Sequence, residues 1–255
     1  MFNAAAGYER YMGRWSRLLA PQYLAFAGVK NGERVLDIGT GTGSLAQAAE
    51  AAFPQARVVG IDPSEAFVAH AKQNARGTFE VGNAQALRFE HASFDHSMSM
   101  LVLNFIPDHE KALAEMRRVT RPQGVVSACV WDYAEGMQML RVFWDEVVAL
   151  DPAMEPKDER HMKLCRQGQL GALWKKFGLA DVQEKAVVID TAFASFDDYW
   201  GPFLAGVGPG GAYVASLSEE RRKALEARLR KRLPGEGALA LKARAWCVRG
   251  AVPAT

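Results

Sequence analysis

Two hydrophobic periods alternate along this chain. Runs at 35–38, 57–61, 78–81, 94–102, 124–131, 182–189 and 238–248 are short, apolar and rich in valine and isoleucine, and read as strands. Between them, apolar residues three and four apart predict helices over 44–53, 65–75, 108–119, 136–150, 166–177 and 219–233. Ser64 stands where the second of these needs an N-cap. An earlier helix is predicted around Leu18, Leu19, Tyr23 and Phe26. Another begins at Ser195 and is broken by Gly206, Gly208, Pro209, Gly210 and Gly211. Strand and helix alternate through the first half, which predicts a doubly wound α/β sheet. The nearly unbroken apolar run at 124–131 reads as a central strand covered on both faces.

The first strand ends in Asp37-Ile38-Gly39-Thr40-Gly41-Thr42-Gly43 and passes at once into a helix. Glycines at such a turn let a ligand approach the backbone and give access to positive φ. The spacing is GxGxG, with Ser44 where a dinucleotide fingerprint has its third glycine. Asp37 sharpens the reading. A carboxylate beside a pyrophosphate is repelled by it, whereas a ligand with a cationic centre is drawn to it. S-adenosylmethionine has that charge pattern, with an ammonium, a sulfonium and no phosphate. Asp62 closes the next strand, 19 residues beyond Gly43, where an acid can accept both hydroxyls of a ribose.

The segments VLDIGTGTG, GIDPSEAFVAHAK, VGNAQALRF, FDHSMSMLVLNF and EMRRVTRPQGVVSACVWD follow in order from about Gly32 to Asp132. Together they resemble the successive motifs of class I S-adenosylmethionine-dependent methyltransferases. The flanking Tyr8-x-x-Tyr11-x-Gly13-Arg14-Trp15-Ser16 looks like a small-molecule subgroup of that family. The resemblance implies a seven-stranded, mostly parallel, Rossmann-like sheet with helices on both faces. It implies an N-terminal helical lid over 1–30 and a methyltransferase domain over 31–255, with a substrate-side helical insertion at 133–180 and a helical segment at 195–235. The cofactor implied is S-adenosylmethionine, leaving as S-adenosylhomocysteine. Its expected contacts are Arg14, Asp37, Gly39, Gly41, Gly43, Asp62, Pro63, Asn83, Ala84 and Leu101. Asn83 departs from the acid usual at that place, yet its carbonyl can accept the same adenine hydrogen bond. Arg14, rather than Arg17, is expected to hold the cofactor carboxylate as the lid closes.

The acceptor site is expected from elements outside the common core, with Tyr8, Tyr11, Asn104, Trp131, Tyr133 and Trp200 as its residues. An aromatic lining suits a flat or apolar small molecule. The strand-four end reads Leu103-Asn104-Phe105-Ile106-Pro107 and lacks the signature of enzymes that methylate nucleic-acid bases or glutamine. His91, His109, His161, Asp132 and Asp197 are candidate bases, but no diagnostic pair stands among them, so no catalytic residue is assigned. His161, in the insertion, is the one expected to face the acceptor.

Composition narrows the alternatives. The 255 residues are 49% apolar and 24% charged, as in an ordinary globular chain. A net charge of +2 gives no overall case for nucleic acid or an acidic membrane surface. The charged helix at 219–233 reads as a solvated face. Cys129, Cys165 and Cys247 show neither CxxC spacing nor pairing, so no metal and a reducing, cytoplasmic setting are expected. No signal pattern opens the chain and no run approaches a spanning helix. The expected partner is a small-molecule substrate, with the chain a monomer or homodimer. Two other functions remain open, a non-catalytic cofactor-binding module and, against Asp37, an NAD(P)-dependent oxidoreductase.

Overall fold

A computed structural model describes residue 7, residues 9–233 and residues 237–254, apart from the Arg10 side chain. The strands are β1 (Arg34–Ile38), β2 (Arg57–Asp62), β3 (Thr78–Val81), β4 (Phe94–Met100), β5 (Thr120–Trp131), β6 (Ala180–Phe193) and β7 (Leu239–Ala251). They form one sheet in the order β3-β2-β1-β4-β5-β7-β6. The first five run parallel, and β7 is antiparallel to both β5 and β6. This is the expected seven-stranded α/β fold.

Helices cover both faces because the central strands are apolar on both. Val35, Cys129 and Trp131 belong to one core cluster, while Leu36, Ile38, Ala128 and Val130 belong to the other. On the first face lie α1 (Arg14–Ala27), α2 (Ser44–Ala52) and α3 (Glu65–Asn74). On the second lie α4 (His109–Val119) and α6 (Gln169–Lys176). The insertion supplies α5 (Gln138–Leu150), and α7 (Phe196–Leu204), α8 (Gly208–Ser216) and α9 (Glu219–Arg232) follow β6. Ser64 caps α3 by accepting from the Phe67 amide, as expected.

Three local expectations change. The glycine-rich stretch after α7 does not stay irregular: Gly206 and Gly208 take positive φ, and with Pro209 in its first turn α8 starts there. β5 begins at Thr120, four residues ahead of the apolar run at 124–131, and Gln123 within it has a φ of 61°. The N-terminal helix buries Trp15, Leu19, Tyr23, Leu24 and Ala27 while Leu18 faces solvent. Tyr23 Oη also lies 2.9 Å from Ser127 Oγ on β5. Fully buried large apolar side chains are worth about 1.5–3 kcal/mol each. Trp15, Leu19, Tyr23 and Leu24 together approach the net stability of a whole domain. From Arg14 onward the segment expected as a lid contributes these side chains to the core.

Candidate active site

The site starts where β1 and β2 stop. The amides of Gly39 and Thr40 donate to Ile61 O at 2.8 and 2.9 Å, which staples the glycine loop across the sheet. Gly39 and Gly43 have φ of 72° and 89°. A Cβ on Gly39 would run into the Val102 side chain, so only glycine fits there. Asp62 fixes the same loop, its Oδ2 accepting from the Gly41 amide at 3.0 Å and its Oδ1 from the Ser64 amide at 2.9 Å. Burial raises the Asp62 pKa, opposed by those two backbone donors.

Asp37 is nearly inaccessible, and Thr40 Oγ1 donates to its Oδ2 at 2.8 Å. Its Oδ1 is buried with no hydrogen-bond partner among the described residues. Burial pushes its pKa up to about 7, with the Thr40 hydrogen bond pulling it down and the Asp62 charge adding a smaller push upward. A buried carboxylate oxygen without a donor is costly, and an ammonium group satisfies it.

Two cavities meet at this loop. One, of about 270 Å³, is walled by Asp37, Gly39, Gly41, Asp62, Pro63 and Leu101, and on its other sides by Tyr11, Trp131, Tyr133 and Glu159. The second, of about 330 Å³, is walled by Gly82, Asn83, Ala84, Gln85, Ile106 and Pro107. They share Gly39, Pro63, Val102 and Phe105 as walls, and so adjoin at the strand ends. Leu101 holds a φ of 65°, a conformation costing a non-glycine residue about 1–3 kcal/mol, where it walls the first cavity. Its amide donates to Cys129 O at 2.8 Å.

Most of the residues expected at the site are brought together here, and four are not. Arg14 Nη1 lies 3.0 Å from both carboxylate oxygens of Asp198, and its guanidinium sits 4.3 Å over Trp15 and 4.7 Å from Phe193. It walls neither cavity. The acidic first turn of α7 has claimed it. Trp200 is packed in the core against Phe203, with ring centroids 5.9 Å apart. Asn104 occupies a 3-10 turn, its Nδ2 3.4 Å from Met162 Sδ, and walls neither cavity. His161 pairs with Glu155 at 2.8 Å on an exposed surface. Tyr8 lies outside the described residues. Asn83 is in place, but its side-chain oxygen accepts from the Gln85 amide at 2.9 Å, closing its own turn.

Glu159 is the residue the sequence did not single out. It is buried, two positions before His161. Arg141 on α5 makes a bidentate contact with buried Asp158, and Arg160 Nε donates to the same acid at 2.6 Å. That ion network pins the 3-10 turn Glu159–His161 to α5 and turns Glu159 inward. Trp144 Nε1 donates to Glu159 Oε2 at 2.7 Å. Burial pushes its pKa up to about 7, opposed by the Trp144 hydrogen bond and the Arg141 charge, and assisted by Asp158. In a stretch as charged as Glu155–Arg160, no pattern marks one acid as buried. On the N-terminal side, Glu9 accepts from Thr42 Oγ1 of the glycine loop and pairs with Arg17.

Comparison with known proteins agrees with this geometry. Residues 36–128 match a family described as "Methyltransferase domain". Over 130 residues the chain is 41% identical to a demethylmenaquinone methyltransferase of Geobacillus kaustophilus, which covers 48% of this chain and 53% of that one. Over 125 residues it is 36% identical to a malonyl-[acyl-carrier protein] O-methyltransferase of Erwinia pyrifoliae, covering 49% and 47%. The chain thus spans about half the length of these curated relatives. A Haemonchus contortus phosphoethanolamine N-methyltransferase 2, solved with phosphomonomethylethanolamine and S-adenosylhomocysteine, superimposes with a TM-score of 0.60. That likeness covers 98% of this chain and 57% of the other at 21% identity, and shows a shared fold. Residues 36–128 thus resemble a methyltransferase domain, and the sheet that carries them shares its fold with the solved methyltransferase.

Proposed function

We propose that the protein transfers the methyl group of S-adenosylmethionine to a small, largely apolar acceptor. The observation that carries this reading is the first cavity itself. Its strand-tip walls offer a buried carboxylate oxygen without a described partner to a cation, while its remaining walls are chiefly apolar, with Tyr11, Phe67, Phe105, Trp131 and Tyr133 among them. Asp37 Oδ1 would accept from the cofactor ammonium, and Asp62 would accept from the ribose hydroxyls with the lone pairs its two backbone donors leave. The turn at Asn83 and Ala84 would border the adenine in the adjoining cavity. Bound S-adenosylmethionine supplies an activated methyl on a sulfonium, so the chain's own work is alignment and exclusion of water. The names of the two curated relatives, a demethylmenaquinone methyltransferase and a malonyl-[acyl-carrier protein] O-methyltransferase, support an acceptor other than nucleic acid. The same Asp37 argues against NAD(P), whose pyrophosphate it would repel.

Calorimetry with S-adenosylmethionine, S-adenosylhomocysteine and NAD tests the reading. Both sulfur compounds should bind, and each should raise the melting temperature as its concentration passes the dissociation constant. Binding of NAD alone would end it.

A further inference from the structure

Three carboxylates wall the two cavities among the described residues: Asp37, Asp62 and Glu159. The first two belong to the glycine loop. Glu159 comes from the insertion and stands in the same cavity beside Tyr11, Trp131 and Tyr133. Its Oε2 is held by Trp144, and no described residue donates to its Oε1. Tyr11 Oη is likewise buried without a partner, and its pKa is driven up by burial first and by the Glu159 charge next. A buried acid and a buried phenol, the phenol oxygen without a partner among the described residues, wall one largely apolar cavity.

Resting on the methyltransferase reading, we infer that Glu159 is the general base of the acceptor site, and that the acceptor is an apolar molecule whose attacking group is a neutral hydroxyl, such as a phenol or enol. The acceptor oxygen forms the bond to the methyl carbon. The carbon–sulfur bond breaks with its electron pair left on sulfur. The hydroxyl proton passes to Glu159 Oε1, to be lost to water when the site opens. Charge balances, because a sulfonium and a carboxylate are consumed together and a neutral thioether, ether and carboxylic acid remain.

The same carboxylate works against an aliphatic amine. Such an amine, with a proton affinity near that of lysine, keeps its proton beside a carboxylate and is held as an unreactive ion pair. A hydroxyl enters neutral and needs a base only as its oxygen begins to bond, which is where a base titrating near the working pH is most effective. The groups facing Glu159 fit this. Trp144 and Arg141 on α5 favour its ionised form, Asp158 opposes it, and Tyr11 from the N-terminal turn can donate to the same acceptor oxygen.

The test uses isotopically labelled S-adenosylmethionine at saturation, where Asp37 is committed to its ligand, with a set of alkyl-substituted phenols and a matched set of aliphatic amines. Wild type should methylate phenols and not amines, with kcat rising through pH of about 7. Glu159→Gln should lower kcat about 10²-fold or more and abolish the rising limb, while its cofactor affinity stays within about twofold by calorimetry. Trp144→Phe, which removes the donor holding the ionised form, should move the limb to higher pH. Independently of turnover, the infrared difference between wild type and Glu159→Gln should show a carboxyl that titrates near neutrality. Methylation of amines only, no methylation of either set by a chain that binds the cofactor, or an unchanged limb in Glu159→Gln would each overturn the inference. Failure to bind cofactor would instead remove the methyltransferase reading beneath it.

Discussion

The cavity has two parts, held in different ways. Around the glycine loop, the walls are strand tips tied by backbone hydrogen bonds, with Ile61 O accepting two amides and Asp62 two more. Around Tyr11 and Glu159, the walls are side chains delivered by a π-helical turn (Glu9–Gly13) and a 3-10 turn (Glu159–His161), the second of them anchored by ion pairs from α5. The first arrangement is as rigid as the sheet and needs only glycines and two acids in a row of about thirty residues. The second depends on contacts between distant segments, so its residues can change without disturbing the fold. On the proposed reading, cofactor chemistry would sit on the fixed part and acceptor choice on the variable one.

The largest effect should come from breaking the fixed part. Asp62→Ala removes the acceptor of the Gly41 and Ser64 amides as well as the one proposed for the ribose. Charged hydrogen bonds are worth about 1.5–3 kcal/mol, so cofactor affinity should fall on the order of 10²-fold or more. Calorimetry on the folded variant checks this. An affinity equal to wild type would show that the loop holds its shape without Asp62 and that the contrast between the two parts is wrong.

That contrast also explains what could be read in advance. The seven strands, the glycine loop and the place of Asp37 were legible because each is written in contiguous residues with a steric or electrostatic reason of its own. Tyr11, Trp131 and Tyr133 were legible as aromatics at the ends of elements. Glu159 was not, because its burial is created by Arg141 and Arg160 neutralising Asp158 beside it, a three-residue arrangement from two segments. Arg14 and Trp200 are the converse case. Their motif and composition were right for a site, but Asp198 and Phe203, brought in by α7, gave them partners elsewhere. His161 sits in the correct turn and points out of it.

A smaller and more selective effect concerns Asp37. Its folded pKa of about 7 lies above the unfolded value of 3.8, so the native chain binds the proton more tightly. Stability from this group is therefore complete below pH of about 4 and is lost as pH rises through about 7, a loss on the order of 4 kcal/mol at most. Asp37→Asn should be more stable than wild type above neutrality and should lose much of that slope, as melting curves across pH would show. Cofactor binding runs the other way. The ammonium needs the carboxylate ionised, so affinity should rise with pH through about 7 in wild type and stay flat and weaker in Asp37→Asn. A parallel pH dependence in both proteins would place the ammonium on another group.

The smallest effect separates Arg14 from Arg17. Arg14 is about a quarter exposed, bound to Asp198 and stacked on Trp15 and Phe193. A partly exposed ion pair contributes about 0–1 kcal/mol and a cation–π contact a similar amount. Arg14→Ala should cost about 1–2 kcal/mol of stability, and Asp198→Ala nearly as much, with no change in cofactor affinity for either. Arg17 reaches the site instead through Glu9, whose other oxygen accepts from Thr42 in the glycine loop. Arg17→Ala frees Glu9 to swing and loosens the loop, so it should weaken cofactor binding a few-fold while leaving the melting temperature almost unchanged. The two variants thus move opposite readouts. If Arg14→Ala weakens cofactor binding tenfold and Asp198→Ala strengthens it, Arg14 leaves Asp198 for the ligand, and the N-terminal segment closes through the residue that its motif first suggested.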